Sequence, residues 1–376
     1  MNGFTLSLRF FLIKHKRALR LWGIAVLASV LLITAAAVAV PIIQNRAAES
    51  RSPWTEKPFS GVREPLRLTP HTPYGELSVR HIRTMSETLY SRPPFTYREL
   101  DAALWIVEEL LAMGYAWDDI EVQEFTWEDV SRMTWMRWEQ MDSWIVGDVP
   151  RRRVSQNVIL TVPGPSDQII VAGAHYDSLP VPGASDNASG TALLLESAQR
   201  MLGQDNHHTL VYVFFGAEEI GLLGAYHYVR SLTQEQREAI LFMVNADVLF
   251  EGPYLLYMAG YLDIQETPYR DMRLGDDDFT RRWRGMAGAL NDEHDFELTP
   301  YWELFPNSDH FAFMQEGYTV LFLFGMDFDE HGNLHMRVVH TDRDCYHYIQ
   351  ETWPGKIDAN MRAFSLFLEE VLLARY

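Results

Sequence analysis

Five side chains of metal-binding type stand where apolar runs of this chain end: His175, Asp186, Glu219, Asp247 and His340. Imidazole and carboxylate are the donors a zinc ion accepts, and a catalytic zinc keeps one position open for water. Five ligands are too many for one four-coordinate ion. They suit two ions if one carboxylate is shared, and two metals about 3.5–4 Å apart can hold one hydroxide and polarise a carbonyl. These donor types also suit cobalt or manganese. Glu218 and Glu219 are neighbours after the run Val211–Phe215, so one can bind metal while the other stays free as a base. Asp177, two residues beyond His175, is spaced to take the imidazole N–H and orient the ring. His331, His335 and His340 lie close together, and any of them could be the late ligand.

Such residues need strands to carry them. Ligands in parallel α/β sheets gather outside the carboxyl ends of the strands, and the apolar run Ile169–Val171 delivers His175 and Asp177 to such an end. Further strands are expected at 120–125, 157–162, 209–215, 241–244, 254–258 and 319–324, and helices at 81–90, 190–202, 222–231 and 357–375. Thr96-x-x-Glu99 reads as a capping box opening a helix that stops at Gly114. The alternation predicts one α/β domain with a mostly parallel central sheet flanked by helices. Residues 126–153 hold Trp127, Trp135, Trp138 and Trp144. They read either as an insertion packing over or near the site, or as a surface excursion with its own small core.

Charge divides the chain. The whole carries −19, while the first 51 residues hold seven Lys/Arg and one Glu, which leaves −25 on the rest. So acidic a body argues against nucleic acid as a partner. It is compatible with amine-bearing substrates, although solubility alone also accounts for it. The single cysteine, Cys345, rules out an intramolecular disulfide. Residues 21–43 form an uncharged run of 23, long enough to span a bilayer as a helix. Arg9, Lys14, Lys16, Arg17 and Arg20 precede it, so residues 1–20 are expected in the cytoplasm and the bulk of the chain outside. The run is too long for an ordinary cleaved signal peptide. Residues 44–56 read as a linker and 57–376 as the catalytic domain.

Six motifs follow one another in order: His175-x-Asp177, Gly183-Ala-Ser-Asp-Asn-Ala-Ser-Gly190, Phe215-x-x-Glu-Glu-x-Gly-Leu-x-Gly224, Asn245-x-Asp247, Ser308-Asp-His-x-x-Phe313 and His340-Thr-x-x-Asp344. Together they resemble the M28 family of zinc aminopeptidases and related hydrolases. The resemblance implies a phosphorylase/hydrolase-like α/β fold and two zinc ions per chain. It implies that His175 and Asp247 bind one ion, Glu219 and His340 the other, and that Asp186 bridges them. Glu218 would be the general base, and Asp309 a supporting group behind the ligands. The implied activity is removal of N-terminal residues from peptides with a free N-terminus. The rivals are a glutaminyl-cyclase-like acyltransferase with one zinc and a scaffold with none. One departure concerns Val339, where the family often has a Tyr that helps stabilise the oxyanion. Asn187-Ala-Ser189 is a glycosylation sequon, expected to be unused beside Asp186.

Overall fold

Runs of Val, Ile, Leu and Phe form the strands of one nine-stranded sheet in the computed structural model, which describes residues 68–69, 71–134, 137–141, 149–261, 278–303 and 306–376. The strands are β1 (Ile120–Thr126), β2 (Val154–Val162), β3 (Ser166–His175), β4 (His208–Phe215), β5 (Ile240–Ala246), β6 (Tyr254–Gly260), β7 (Leu298–Pro300), β8 (Val320–Phe328) and β9 (Leu334–His335). Their order is β1-β2-β4-β3-β5-β8-β6-β7, with β9 against β8.

The sheet is mixed, which corrects the expectation of a mostly parallel one. Strands β4, β3, β5 and β8 run parallel at the centre. On one side β2 and β1 add antiparallel, and on the other β6 is antiparallel to β8. The cause lies in long-range pairing. A short turn through Pro163 and Gly164 joins β2 to β3, yet β4 enters between them. Side-chain periodicity reports burial and carries no information about which strand will be the neighbour.

Helices cover both faces. Helices α1 (Glu76–Arg83), α2 (Tyr97–Met113), α3 (Ser189–Met201), α5 (Asp278–His294) and α6 (Lys356–Leu373) pack together on one side of the sheet, and α4 (Leu223–Ser231) packs with the short helix His310–Gln315 on the other. Thr96 accepts a hydrogen bond from the Glu99 N–H at the start of α2, as its cap pattern predicts, and Gly114 ends the helix. Phe215, Tyr228 and Phe313 fill the α4 side of the core, with ring centroids 6.0–6.3 Å apart. Gly190 lets α3 start against the end of β5, because a Cβ there would run into the Ala246 carbonyl. That approach brings the Asp186 loop beside Asp247.

Of the Trp-rich segment, Trp135 and Trp144 lie outside the described residues. Trp127 and Trp138 pack edge-on against Phe95, 5.6 and 6.2 Å between centroids, in a cluster that includes Ala217 and Ile220 of the loop after β4 and Leu223 at the start of α4. The Thr134 hydroxyl donates to the Ile220 carbonyl at 2.6 Å. What is described of this segment therefore leans on the Glu218–Glu219 loop. The expected membrane segment 21–43, with residues 1–20 and the linker 44–56, lies outside the described residues, and no helix among those described is long and apolar enough to cross a membrane.

Candidate metal centre

The sheet brings all five expected ligands together. His175 is the last residue of β3, and Asp247 follows the last residue of the neighbouring parallel strand β5. Their side chains meet, with His175 Nε2 3.2 Å from Asp247 Oδ1, and the same nitrogen is 3.1 Å from Asp186 Oδ1. Asp186 turns its other oxygen to His340, whose Nε2 is 3.1 Å away and also 3.1 Å from Glu219 Oε2. Two triads result, His175–Asp186–Asp247 and Asp186–Glu219–His340, each with one donor atom per residue within 4.8 Å of the others. Asp186 belongs to both. Neither His331 nor His335 joins either triad.

Glu218 stands apart from the triads. Its carboxylate lies 4.0 Å from His175 Nε2 and lines a cavity of about 400 Å³ that also touches Asp186, Glu219, Asp247 and His340. The rest of the wall is largely apolar, including Leu222, Phe322, Phe324, Met326 and Val339. Burial, reinforced by Asp309 and Asp247, raises the Glu218 carboxyl well above the usual carboxylate range, against the pull of His175.

The electrostatics are those of a cation site. Asp186, Glu218, Glu219 and Asp247, all largely buried, converge on two imidazoles, of which only His340 is exposed. Burial pushes Glu219 up to about 7, with Asp186 adding to it. Burial alone would lower His340, but the carboxylates of Asp186 and Glu219 outweigh it and hold the ring at about 11. Burial opposes charge on His175 too, yet Asp247 and Glu218 raise it well above its ordinary value. Even two imidazolium ions leave four carboxylates short of positive charge. A divalent cation relieves that imbalance, and the donor set of imidazole and carboxylate fits zinc.

A layer of carboxylates and polar groups behind the ligands fixes them through backbone N–H groups. Asp177 Oδ1 lies 3.4 Å from His175 Nδ1, which is also 3.2 Å from the Asp177 carbonyl, while the two carboxylate oxygens accept from the Glu218 and Glu219 N–H groups at 3.1 and 3.3 Å. Asp344, four residues after His340, takes the Ser185 and Asp186 N–H groups at 2.6 and 3.0 Å. Ser308 donates to Asp247 Oδ2 at 2.7 Å. Asp309, expected behind the ligands, is buried there, but its carboxyl oxygens have no hydrogen-bond partner among the described residues; the direct contact is Ser308's.

Three anchors escape a reading of the sequence. Glu99 is fully buried and accepts from Phe95 N, Ser155 Oγ and Ala217 N at 2.7–3.0 Å. Its carboxylate thus steadies the loop carrying Glu218 instead of reaching back to the Thr96 N–H, as a capping box would have it. Arg92, also fully buried, donates to the Tyr176, Pro182 and Gly183 carbonyls at 2.7–3.1 Å and holds the loop that leads to Asp186. Glu251 accepts from Val338 N and Val339 N at 2.7 and 3.0 Å. The one available signal was an acidic residue at the end of the apolar run Val248–Phe250, which needs a partner if buried. Backbone strain marks the same places: Ala217, Val248 and His340 sit at φ of 54°, 54° and 62°. The sequon is closed, because Asn187 is buried and donates to the Ala246 carbonyl.

The family model for peptidase family M28 matches residues 157–365. A stretch of 99 residues is 42% identical to the probable lipoprotein aminopeptidase LpqL of Mycobacterium tuberculosis, covering 25% of this chain and 20% of that protein. Another of 82 residues is 40% identical to aminopeptidase YwaD of Bacillus subtilis, covering 22% and 18%. The matches thus span about a fifth of the length of these curated relatives. Among solved structures, a zinc aminopeptidase from Bacillus subtilis overlays with a TM-score of 0.59 at 18% identity, over 84% of this chain and 97% of its own. A glutaminyl cyclase from Tannerella forsythia also reaches 0.59 at 17% identity, over 81% and 100%. The overlays establish the fold, and fold alone does not separate the two activities. The family match covers more than half of the sequence and takes in every expected ligand, so this chain belongs to peptidase family M28.

Proposed function

We propose that this chain hydrolyses peptide bonds with zinc, releasing the N-terminal residue. The observation that carries the reading is the pair of triads sharing Asp186, with Glu218 left free beside them. His175 and Asp247 would hold one ion, Glu219 and His340 the other, with Asp186 between. Zinc bound there supplies Lewis-acid charge for the scissile carbonyl and acidifies water. Glu218 takes the proton of the attacking water and returns it to the leaving amine, a role suited by its raised affinity for a proton. Asp177 keeps the His175 ring turned and the Glu218–Glu219 backbone in place. The substrate's α-ammonium pairs with carboxylates such as Glu218 and Asp247, and its side chain enters the apolar part of the cavity. The second triad favours this reading over a one-zinc cyclase.

The proposal includes an anchor at residues 21–43 with the catalytic unit outside the cytoplasm, supported by the uncharged run and the basic residues before it. The test uses the purified full chain with zinc, assayed on aminoacyl-anilides and on a peptide with N-terminal Gln. Chelator-sensitive anilide cleavage is expected, and Glu218→Gln should lower kcat by about 10³-fold with bound zinc unchanged. Pyroglutamate formation without anilide cleavage would transfer the protein to the cyclase reading.

A further inference from the structure

His340 is the exposed member of its site. Its side chain is 49% exposed, whereas those of His175, Asp186, Glu219 and Asp247 are all under 10%. It stands on a loop, in a left-handed backbone conformation that non-glycine residues rarely adopt. Packing therefore does little to hold the ring toward Asp186 and Glu219. The three residues before it are held in another way. The Arg337, Val338 and Val339 N–H groups all donate to the Glu251 carboxylate, which is fully buried. Successive backbone N–H groups of this kind form a cradle for an anion. The base of the clamp is rigid, because the Glu251 N–H donates to the Gly325 carbonyl in β8 at 3.0 Å and the Gly325 N–H donates to the Val248 carbonyl at 2.8 Å. A chain of contacts thus runs from the central sheet through Glu251 to the residue before His340. The Arg337 side chain adds an ion pair to Asp327, also in β8, at 2.6 Å.

We infer that Glu251 is the positioning residue for His340, and that retention of metal in the Asp186–Glu219–His340 site depends on it. The inference rests on the two-ion reading above. Glu251 touches neither ligand nor cavity; it acts by fixing the backbone from which the His340 ring projects. Loosening of groups that orient a ligand typically weakens metal binding by 10–100-fold.

Zinc per chain is measured on the purified full-length protein after equilibration against graded chelator, for the wild type, Glu251→Gln, Glu251→Asp and His340→Ala. Gln keeps the shape but brings an N–H against the donors; Asp keeps the charge but shortens the reach. The wild type should release its two ions in two steps. In both Glu251 variants the step that His340→Ala alters should move to chelator concentrations at least about 10-fold lower, the other should stay, and excess zinc should refill the site. His340→Ala identifies which step belongs to this site. Wild-type retention of both ions in both variants would overturn the inference. Loss of both ions together would also overturn it, since Glu251 would then support the fold at large. A wild type that binds fewer than two ions would remove the two-ion reading itself, an outcome visible before any variant is compared.

Discussion

The two triads share Asp186 but are built in different ways. His175 and Asp247 stand at the ends of adjacent parallel strands, both almost fully buried. Strand pairing sets their separation, and Ser308 and Asp177 trim their orientation. Glu219 and His340 stand on loops, and their position depends on buried carboxylates that grip backbone N–H groups from a distance: Asp177 and Glu99 beneath the Glu218–Glu219 loop, and Glu251 beneath the His340 loop. A strand-held site moves only if the sheet moves. A loop-held site responds to any group in its support.

Replacing one histidine from each half tests that difference most directly. With His175→Ala, turnover of an anilide should fall by on the order of 10³-fold, the scale of lost charge stabilisation at a reacting carbonyl, and added zinc should not restore it. His340→Ala should lose as much at trace zinc but recover as zinc is raised, because its half-exposed position is open to water as a substitute donor, whereas the position of His175 is buried. Equal recovery in both variants would erase the distinction. A smaller effect is expected from Ser308→Ala. With an ion in each triad, as proposed, removing its hydrogen bond to Asp247 should weaken binding at the strand-held triad about 10-fold and leave the loop-held triad unchanged, read from the same chelator titration.

A last effect lies away from the centre and separates acid damage to the fold from acid damage to the loops. His81 is fully buried on α1, edge-on to Trp105, with no hydrogen-bond partner among the described residues for either ring nitrogen. Burial, with a smaller contribution from Arg80, lowers it from 6.5 to about 3. Between those values the unfolded chain takes up a proton that the folded chain refuses. Its contribution is therefore fully present above pH 6.5 and is lost as pH falls toward 3, by about 1.4 kcal/mol per unit. His81→Leu should remove that slope, so that the stability difference between wild type and variant shifts by about 2 kcal/mol between pH 7 and pH 5 in denaturant titrations.

The same contrast explains what could be read from the sequence. His175, Asp186, Glu219 and Asp247 were legible because each follows or opens a regular element whose apolar pattern is local. Asp177 was legible because its partner is two residues away. Glu251 and Glu99 were not, since they act on backbone N–H groups 87 and 118 residues distant, and a backbone N–H has no letter in a sequence. Glu99 was further hidden by Thr96, which explained its position as a helix cap. Arg92 stands just beyond the helix expected at 81–90; its actual task, gathering carbonyls, depends on a loop some 90 residues later. The mixed sheet escaped for a related reason, as strand order is decided by pairings that periodicity does not record.

The clamps also bear on transplantation. An engineer who copied the five ligands onto another parallel sheet would carry over the strand-held pair nearly complete, because any two adjacent strand ends reproduce it. The loop-held pair would arrive without its foundations. The portable unit includes Glu99 and Glu251 with the N–H groups they grip, and a graft lacking them should assemble as a one-metal protein.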